Sequence, residues 1–401
     1  MPISMFKKIG PGVLIAAAFI GPGTVTACTL AGVGFDYALL WAMLLSIIAT
    51  MVLQEMSARL GIITQKGLAN AIKNELKTPW IRMILLSIVL AAIVIGNAAY
   101  EAGNIGGATL GMEALFGQEY ATFYPFIIGA LAFILLYVGS YKALEKVFVT
   151  LVLIMSLSFL LTAIITKPDI LEIVKGLFIP QVPQGSVLMI IALVGTTVVP
   201  YNLFLHASLV SEKWKGKENL KAARKDTFIS IAVGGVVSMA IVIAATGIPG
   251  KEVTNVMDLA RGLEPLYGNS AKYFMGIGLF AAGVTSAITA PLAAAYVASS
   301  CFGWNVNLKD AKFRTVWIMI LGLGVFFLSF GIKPIEIIKF AQVANGLLLP
   351  VIAVFLLWIV NKSSVMGEYR NSKIQNFLGF LIIVLVLVLG VKSIFEVLGL
   401  F

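Results

Sequence analysis

Charge is what this sequence has least of. Asp, Glu, Lys and Arg make up 12% of the 401 residues, and a soluble domain carries about twice that share. Too little polar surface remains to cover a soluble globule, so hydropathy overrides the two soluble domains that length alone suggests. There is one histidine, His206, and there are two cysteines, Cys28 and Cys301, both in or beside apolar segments. Two isolated cysteines make no disulfide framework and no zinc-ligand pattern, and they read as small buried hydrophobes. A Ser-His-Asp site would need His206 buried within an apolar segment. No phosphate loop and no nucleophile elbow is present. The expectation is a protein that is not an enzyme and that needs no cofactor. No cleavable signal peptide is expected either. The start, Met1 to Lys8, is short and basic, and the apolar stretch after it is too long for a signal.

Hydrophobic residues make up 60% of the chain. They fall into eleven stretches long enough to cross a bilayer as helices, at about 10–32, 37–60, 80–111, 122–140, 145–166, 186–210, 227–249, 271–301, 314–332, 334–360 and 375–397. The third and eighth are long enough to tilt or to extend past the bilayer. The fold class is therefore an all-α polytopic membrane protein, a single transmembrane domain over residues 1–401. The longest loops run to about twenty residues, so function must reside in the helical bundle.

The net charge of +10 would suggest nucleic acid in a soluble protein. Here the basic residues alternate from loop to loop. Lys7 and Lys8 precede span one; Lys66, Lys73 and Lys77 follow span two; Lys142 and Lys146 flank the turn after span four. The loop after span six is the most basic, with Lys213, Lys215, Lys217, Lys221, Arg224 and Lys225. Lys309, Lys312 and Arg314 follow span eight, and Lys362, Arg370 and Lys373 follow span ten. The positive-inside rule then places the N-terminus in the cytoplasm and, with an odd number of spans, the C-terminus outside. The implied setting is a bacterial plasma membrane. The partners are the lipid bilayer and a small substrate, not nucleic acid, and the expected state is a monomer. The basic loop could also touch anionic lipid.

Two spans are interrupted. Span one carries Gly21-Pro22-Gly23-Thr24, and span six carries Gly195-Thr196-Thr197-Val198-Val199-Pro200-Tyr201-Asn202. Proline lacks an amide donor and clashes with the preceding turn, and glycine loosens the backbone. At membrane depth such a break is tolerated only where protein or a water-filled cavity satisfies the freed groups. Spans one and six each begin a set of five, about 10–166 and 186–360, with an extra helix at about 375–397. Five is odd, so the two halves face opposite ways. Paired breaks at matching positions of inverted halves point to the central site of a transporter.

Polar residues within spans add candidates. Asn97, Glu101 and Asn104 share one face of span three. An ionisable group there needs a cavity or a partner, so Glu101 is either a proton or cation relay or a structural carboxylate. His206 is either a shuttle or a packed histidine. Glu55 and Arg59 stand at ion-pair spacing in span two. Gln342 and Asn345 stand in span ten, where Asn345 could reach the cavity or bond to a neighbouring helix.

These segments resemble the NRAMP divalent-metal transporters. The resemblance lies in Gly10-Pro11-Gly12 with Phe19-Ile20-Gly21-Pro22-Gly23-Thr24, in Val199 to His206, in Leu53 to Gly61, in Asp226-Thr227, in Ala281 to Thr289 and in Met366-Gly367-Glu368. It implies the leucine-transporter-type fold, a 5+5 inverted repeat with one added helix, and transport of a divalent metal ion. The implied substrate-contacting set is Ala18, Gly21, Pro22, Gly23, Thr24, Thr196, Val199, Pro200, Tyr201 and Asn345. The implied proton or polar route is Asn97, Glu101, Asn104 and His206. The family's metal ligands do not recur. Its Asp-Pro-Gly-Asn motif reads Gly21-Pro22-Gly23-Thr24 here, and its Met-Pro-His motif reads Val199-Pro200-Tyr201. Thr196 stands for a family alanine, Leu348 aligns with a tenth-helix glutamine, and the third-helix acidic pair becomes Glu101 and Asn104. What remains is hydroxyls and backbone carbonyls, a poor set for Mn²⁺ or Fe²⁺ and a less implausible one for a largely hydrated Mg²⁺. A small organic solute such as an amino acid or other carboxylate stays open, since a glycine-rich half-helix start presents amides to an anionic group. A non-transporting sensor or scaffold is the third reading.

Overall fold

The computed structural model describes residues 20–139, 142–248, 250, 253–304 and 308–397. Helices account for the architecture, and no strand occurs among the described residues. The first five are α1 (Pro22–Phe35), α2 (Leu40–Thr64), α3 (Leu68–Glu75), α4 (Pro79–Phe116) and α5 (Tyr124–Val138). Then come α6 (Lys142–Ile165), α7 (Ile170–Phe178), α8 (Val187–Thr197), α9 (Pro200–Lys213) and α10 (Leu220–Ala245). After two short helices, α11 (Val256–Arg261) and α12 (Glu264–Tyr267), the chain continues as α13 (Ala271–Phe302), α14 (Ala311–Leu328) and α15 (Pro334–Val360). It ends with α16 (Ser363–Met366) and α17 (Lys373–Val397).

Among the described residues, nine helical stretches are long and apolar enough to span a membrane, and α5 is a shorter apolar helix. α1 is the described part of span one, whose earlier residues, including Gly10-Pro11-Gly12 and Ala18, lie outside the described residues. The expected spans recur in order, and α15 matches its expected limits of 334–360. The largest shift is at span seven, where α10 starts at Leu220. Hydropathy alone begins that span at 227, because Lys221, Arg224, Lys225 and Asp226 occupy the helix's first turns. Charge marks where hydrocarbon ends, not where a helix ends.

Local chemistry sets the boundaries. Proline stands in the first turn of α1, α4, α5, α9 and α15, where its missing N–H costs nothing. Asp169 caps α7 by accepting from the amides of Leu171 and Glu172, and Asn255 and Asp258 form a capping box on α11.

Burial separates the centre of the bundle from its rim. In the most apolar window of span six, formed by α8 and α9, 94% of residues are buried, against 28% for Lys373–Lys392 of α17. The interrupted span is thus the core of the bundle, and the last helix is peripheral. α8 reaches that core through a close backbone approach. A Cβ on Gly195 would collide with the carbonyl oxygen of Gln342 and the amide nitrogen of Gly346 on α15. Neither obstacle is a side chain that can turn away. Gly195→Ala is therefore expected to lower the melting temperature of the purified protein by several degrees, because overpacking of this kind costs about 1–3 kcal/mol or more. Gly322→Ala on α14, where a Cβ meets open space, is expected to leave it unchanged or raised. Equal melting of the two variants would refute the close-approach account.

Candidate functional site

A helix begins at the proline of each of the two segments. α1 begins at Pro22 with Gly21 as its N-cap in extended conformation, and no side chain caps it. α8 ends at Thr197, Val198 and Val199 are non-helical, and α9 restarts at Pro200, again without a side-chain cap. Both half-helices therefore present uncapped first turns at membrane depth, the positive end of each helix dipole.

The two breaks meet through a pair of hydroxyls. Thr24 Oγ1 and Thr196 Oγ1 lie 2.8 Å apart, and either can donate. Thr24 is 1% exposed and Thr196 0%, so the bond is shielded from solvent. Around this bond, packing fixes both ends. The ring of Pro22 sits where a Cβ on Gly107 of α4 would be. Thr197, one residue past Thr196, exchanges a hydrogen bond with Ser46 of α2. Tyr201 packs edge-on against Tyr100 of α4, with ring centroids 5.6 Å apart.

Gln342 of α15 links the breaks from a third side. Its side-chain amide occupies the place a Cβ on Gly23 would take, and its carbonyl oxygen abuts Gly195. Asn345, one turn on, has its side-chain oxygen over Gly96 of α4, beside Leu348. Among the described residues, several buried side-chain atoms without a protein partner lie beside the breaks: the Tyr201 hydroxyl and both Asn202 amide atoms on α9, and Gln342 Oε1 and Asn345 Nδ2 on α15. Most buried polar groups in folded proteins are paired, so a cluster of unpaired ones marks a place built for a polar visitor.

The polar face of α4 points elsewhere. Asn97 donates to the Ala290 carbonyl of α13 at 2.9 Å. Asn104 donates to Glu101 Oε2 at 3.3 Å. The Glu101 methylenes lie against Gly324 of α14, and its Oε1 has no partner. Asn97 thus reaches α13 and Glu101 reaches α14, with Asn104 bonded to Glu101. His206 is held in a bridge: its Nδ1 is 2.8 Å from Gln54 Oε1 of α2, and its Nε2 is 3.4 Å from the Thr227 hydroxyl of α10. Both ring nitrogens are thus paired within the bundle.

The sequence reading names Gln342 in span ten without placing it at the site, and it omits Tyr100 and Ser46. Gln342 stands three residues before Asn345 on the same helix face, a signal available in the spacing. Tyr100 and Ser46 carry no such signal, since a lone tyrosine or serine in a span is common. Among the described residues no group of three His, Cys, Asp or Glu side chains could hold a metal ion. The donors at the breaks are neutral.

An all-helical membrane bundle whose two interrupted helices meet at a buried polar centre defines a secondary-transporter fold of the inverted-repeat type. Residues 12–396 match the family described as Nramp, natural resistance-associated macrophage protein-like, and the chain belongs to that family. The "Divalent metal cation transporter MntH" of Caldanaerobacter subterraneus subsp. tengcongensis is 26% identical over 396 residues, covering 96% of this chain and 91% of that protein. Its namesake from Klebsiella pneumoniae strain 342 is 29% identical over 390 residues, covering 95% and 92%. In fold, the chain is similar to the crystal structure of the Eremococcus coleocola manganese transporter in complex with an aromatic bis-isothiourea substituted compound. The TM-score is 0.77, with 21% identity and coverage of 98% of this chain and 87% of that one. It is also similar to MhsT in complex with L-phenylalanine, with a TM-score of 0.61, 17% identity and coverage of 95% and 98%.

Proposed function

We propose that this protein is a secondary transporter that carries a metal ion across a bacterial plasma membrane through the centre between α1, α8, α9 and α15. Family membership supports metal transport, and the Thr24–Thr196 bond joining the two breaks is the observation that carries the location. The substrate-contacting set is then Thr24, Thr196, Tyr201 and Asn345, with the backbone of Gly21, Pro22, Gly23, Val199 and Pro200, to which Gln342 is added. Ala18 belongs to it by resemblance alone. The two transport halves run over about 10–166 and 186–360, with the N-terminus inside and the C-terminus outside.

The donor set argues for a hard ion that keeps part of its water. Hydroxyl, amide and carbonyl oxygens suit a largely hydrated Mg²⁺ better than Mn²⁺, and Val199 offers no sulfur to a soft ion. Unpaired polar atoms on α9 and α15 give a hydrated ion groups to bond as it passes. Alternating access would separate α1 from α8, and the Thr24–Thr196 bond is the contact that must open. Neutral donors beside the Tyr100–Tyr201 pair also favour a second reading, a small organic solute, and flux decides between the two.

Protein reconstituted in liposomes is expected to take up Mg²⁺ or Mn²⁺ saturably above empty vesicles, with Cd²⁺ competing only weakly. Absence of flux for both ions, in protein shown to be folded, would defeat the metal reading. Strong Cd²⁺ competition would defeat the neutral-oxygen account of the site.

A further inference from the structure

A groove on the lipid-facing side of the bundle lies apart from the transport centre. It has a volume of about 340 Å³ and is formed where α3, the start of α4 and the end of α13 meet. Lys73 and Arg82 stand among its lining residues, and Met83, Leu86, Leu90 and Phe302 supply apolar walls.

On α4 the lining positions run from Pro79 to Leu90 at helical spacing, a stripe on one face. Eleven residues of rise cover about 16 Å, and one leaflet of hydrocarbon is about 15 Å deep. The groove thus has the depth of a single leaflet. Its outer wall is open to lipid, with Trp80 63% and Met83 67% exposed. An exposed tryptophan beside Arg82, at the end of a span, marks the headgroup level.

The two cations have no acidic counterpart. Among the described residues no carboxylate lies within 4.0 Å of Lys73 or Arg82. The only acid of α3, Glu75, is engaged on its other side, where the Ser364 hydroxyl donates to its two oxygens at 2.8 and 2.9 Å. The lining stripe of α4 and the last turns of α13 hold no acidic residue. The Lys73 amine lies against Gly303, at the end of α13. Topology accounts for the sign of these charges. It does not account for their placement at the mouth of a leaflet-deep apolar groove.

We propose that this groove binds an anionic phospholipid of the leaflet on the basic side of the protein, with its phosphate between Lys73 and Arg82 and an acyl chain along Leu86 and Leu90. Such a lipid would tie the ends of span three and span eight to α3, and so set how freely those ends part.

Native mass spectrometry of the full-length detergent-purified protein, titrated with dioleoyl phosphatidylglycerol or dioleoyl phosphatidylcholine, tests this. One site is expected to prefer the phosphatidylglycerol by about tenfold or more, as two basic contacts predict. The K73Q/R82Q variant should lose that preference. Ser87→Trp, at an exposed lining position, should fill the groove and lose both lipids while melting like wild type. K221Q/K225Q, at the start of α10, should behave as wild type. Equal affinity for the two lipids, a preference that survives K73Q/R82Q, or a preference abolished by K221Q/K225Q would each overturn the proposal. Competition by soluble glycerol phosphate as strong as that of the lipid would also overturn it, by showing that the acyl groove contributes nothing.

Discussion

Thr24→Ala and Thr196→Ala are each expected to cut saturable ion uptake at least about tenfold, with melting temperatures within a few degrees of wild type. The two hydroxyls face each other at 2.8 Å across the breaks. Removing one deletes an oxygen of the proposed site and the buried bond between the two. Loss of one such bond costs about 0.5–1.5 kcal/mol, and 1.4 kcal/mol is about a factor of ten in an equilibrium constant. Thr24→Ser and Thr196→Ser keep the oxygen and are expected to retain most activity. Flux into liposomes against folded-protein concentration separates the outcomes. If both alanine variants transport normally, the substrate does not pass this pair. If the serine variants fail as badly as alanine, the methyl group and not the hydroxyl is what the site needs.

The second large effect concerns stability. Glu55 of α2 is a nearly enclosed carboxylate, its side chain 6% exposed, that faces two guanidiniums. Arg59 Nε donates to its Oε1 at 3.0 Å and Arg224 Nε at 2.8 Å, while Gln375 Nε2 donates to Oε2 at 3.4 Å. Arg59 also donates to the Tyr369 carbonyl and to Asn371 Oδ1, both at 2.5 Å. Asn371 donates to Asn376 of α17, which exchanges hydrogen bonds with Asn361 at the end of α15. The carboxylate thus ties α2 to α10 and α17. Glu55→Ala leaves the Arg59 charge, 2% exposed, without a counterion. Breaking a buried pair by deleting one member costs about 3–5 kcal/mol. Thermal unfolding followed by size-exclusion chromatography should show a large loss. Arg224→Gln should cost about 1 kcal/mol or less, because that side chain is 41% exposed and water screens it. Similar losses for the two variants would show that burial does not set the strength of this network.

Much of this architecture was legible in the sequence because membrane spans obey a simple rule of apolar length. The breaks were legible too, since proline and glycine at Gly21-Pro22-Gly23 and Pro200 act through backbone chemistry that needs no tertiary context. The Glu55–Arg59 pair could be read from helical spacing. Its extension to Arg224, Gln375 and the Tyr369 carbonyl could not, because those partners lie 169 to 320 residues away in the chain. The same limit governs the α4 face. Spacing shows that Asn97, Glu101 and Asn104 point one way, but not that the way is toward Ala290 and Gly324. Gln342 was not placed at the site because its role depends on which backbone it abuts, a property of packing and not of residue type.

The neutrality of the centre has an electrical consequence. A site lined by carboxylates offsets the charge of the ion it holds, so the loaded carrier crosses the field nearly uncharged. An ion held by threonine hydroxyls, amides and carbonyls keeps its full charge as access switches from one face to the other. Each elementary charge that traverses 100 mV carries about 2.3 kcal/mol, so a divalent ion carries about twice that. With the interior negative, the resting voltage itself becomes the motive force for uptake, and the same voltage opposes release outward.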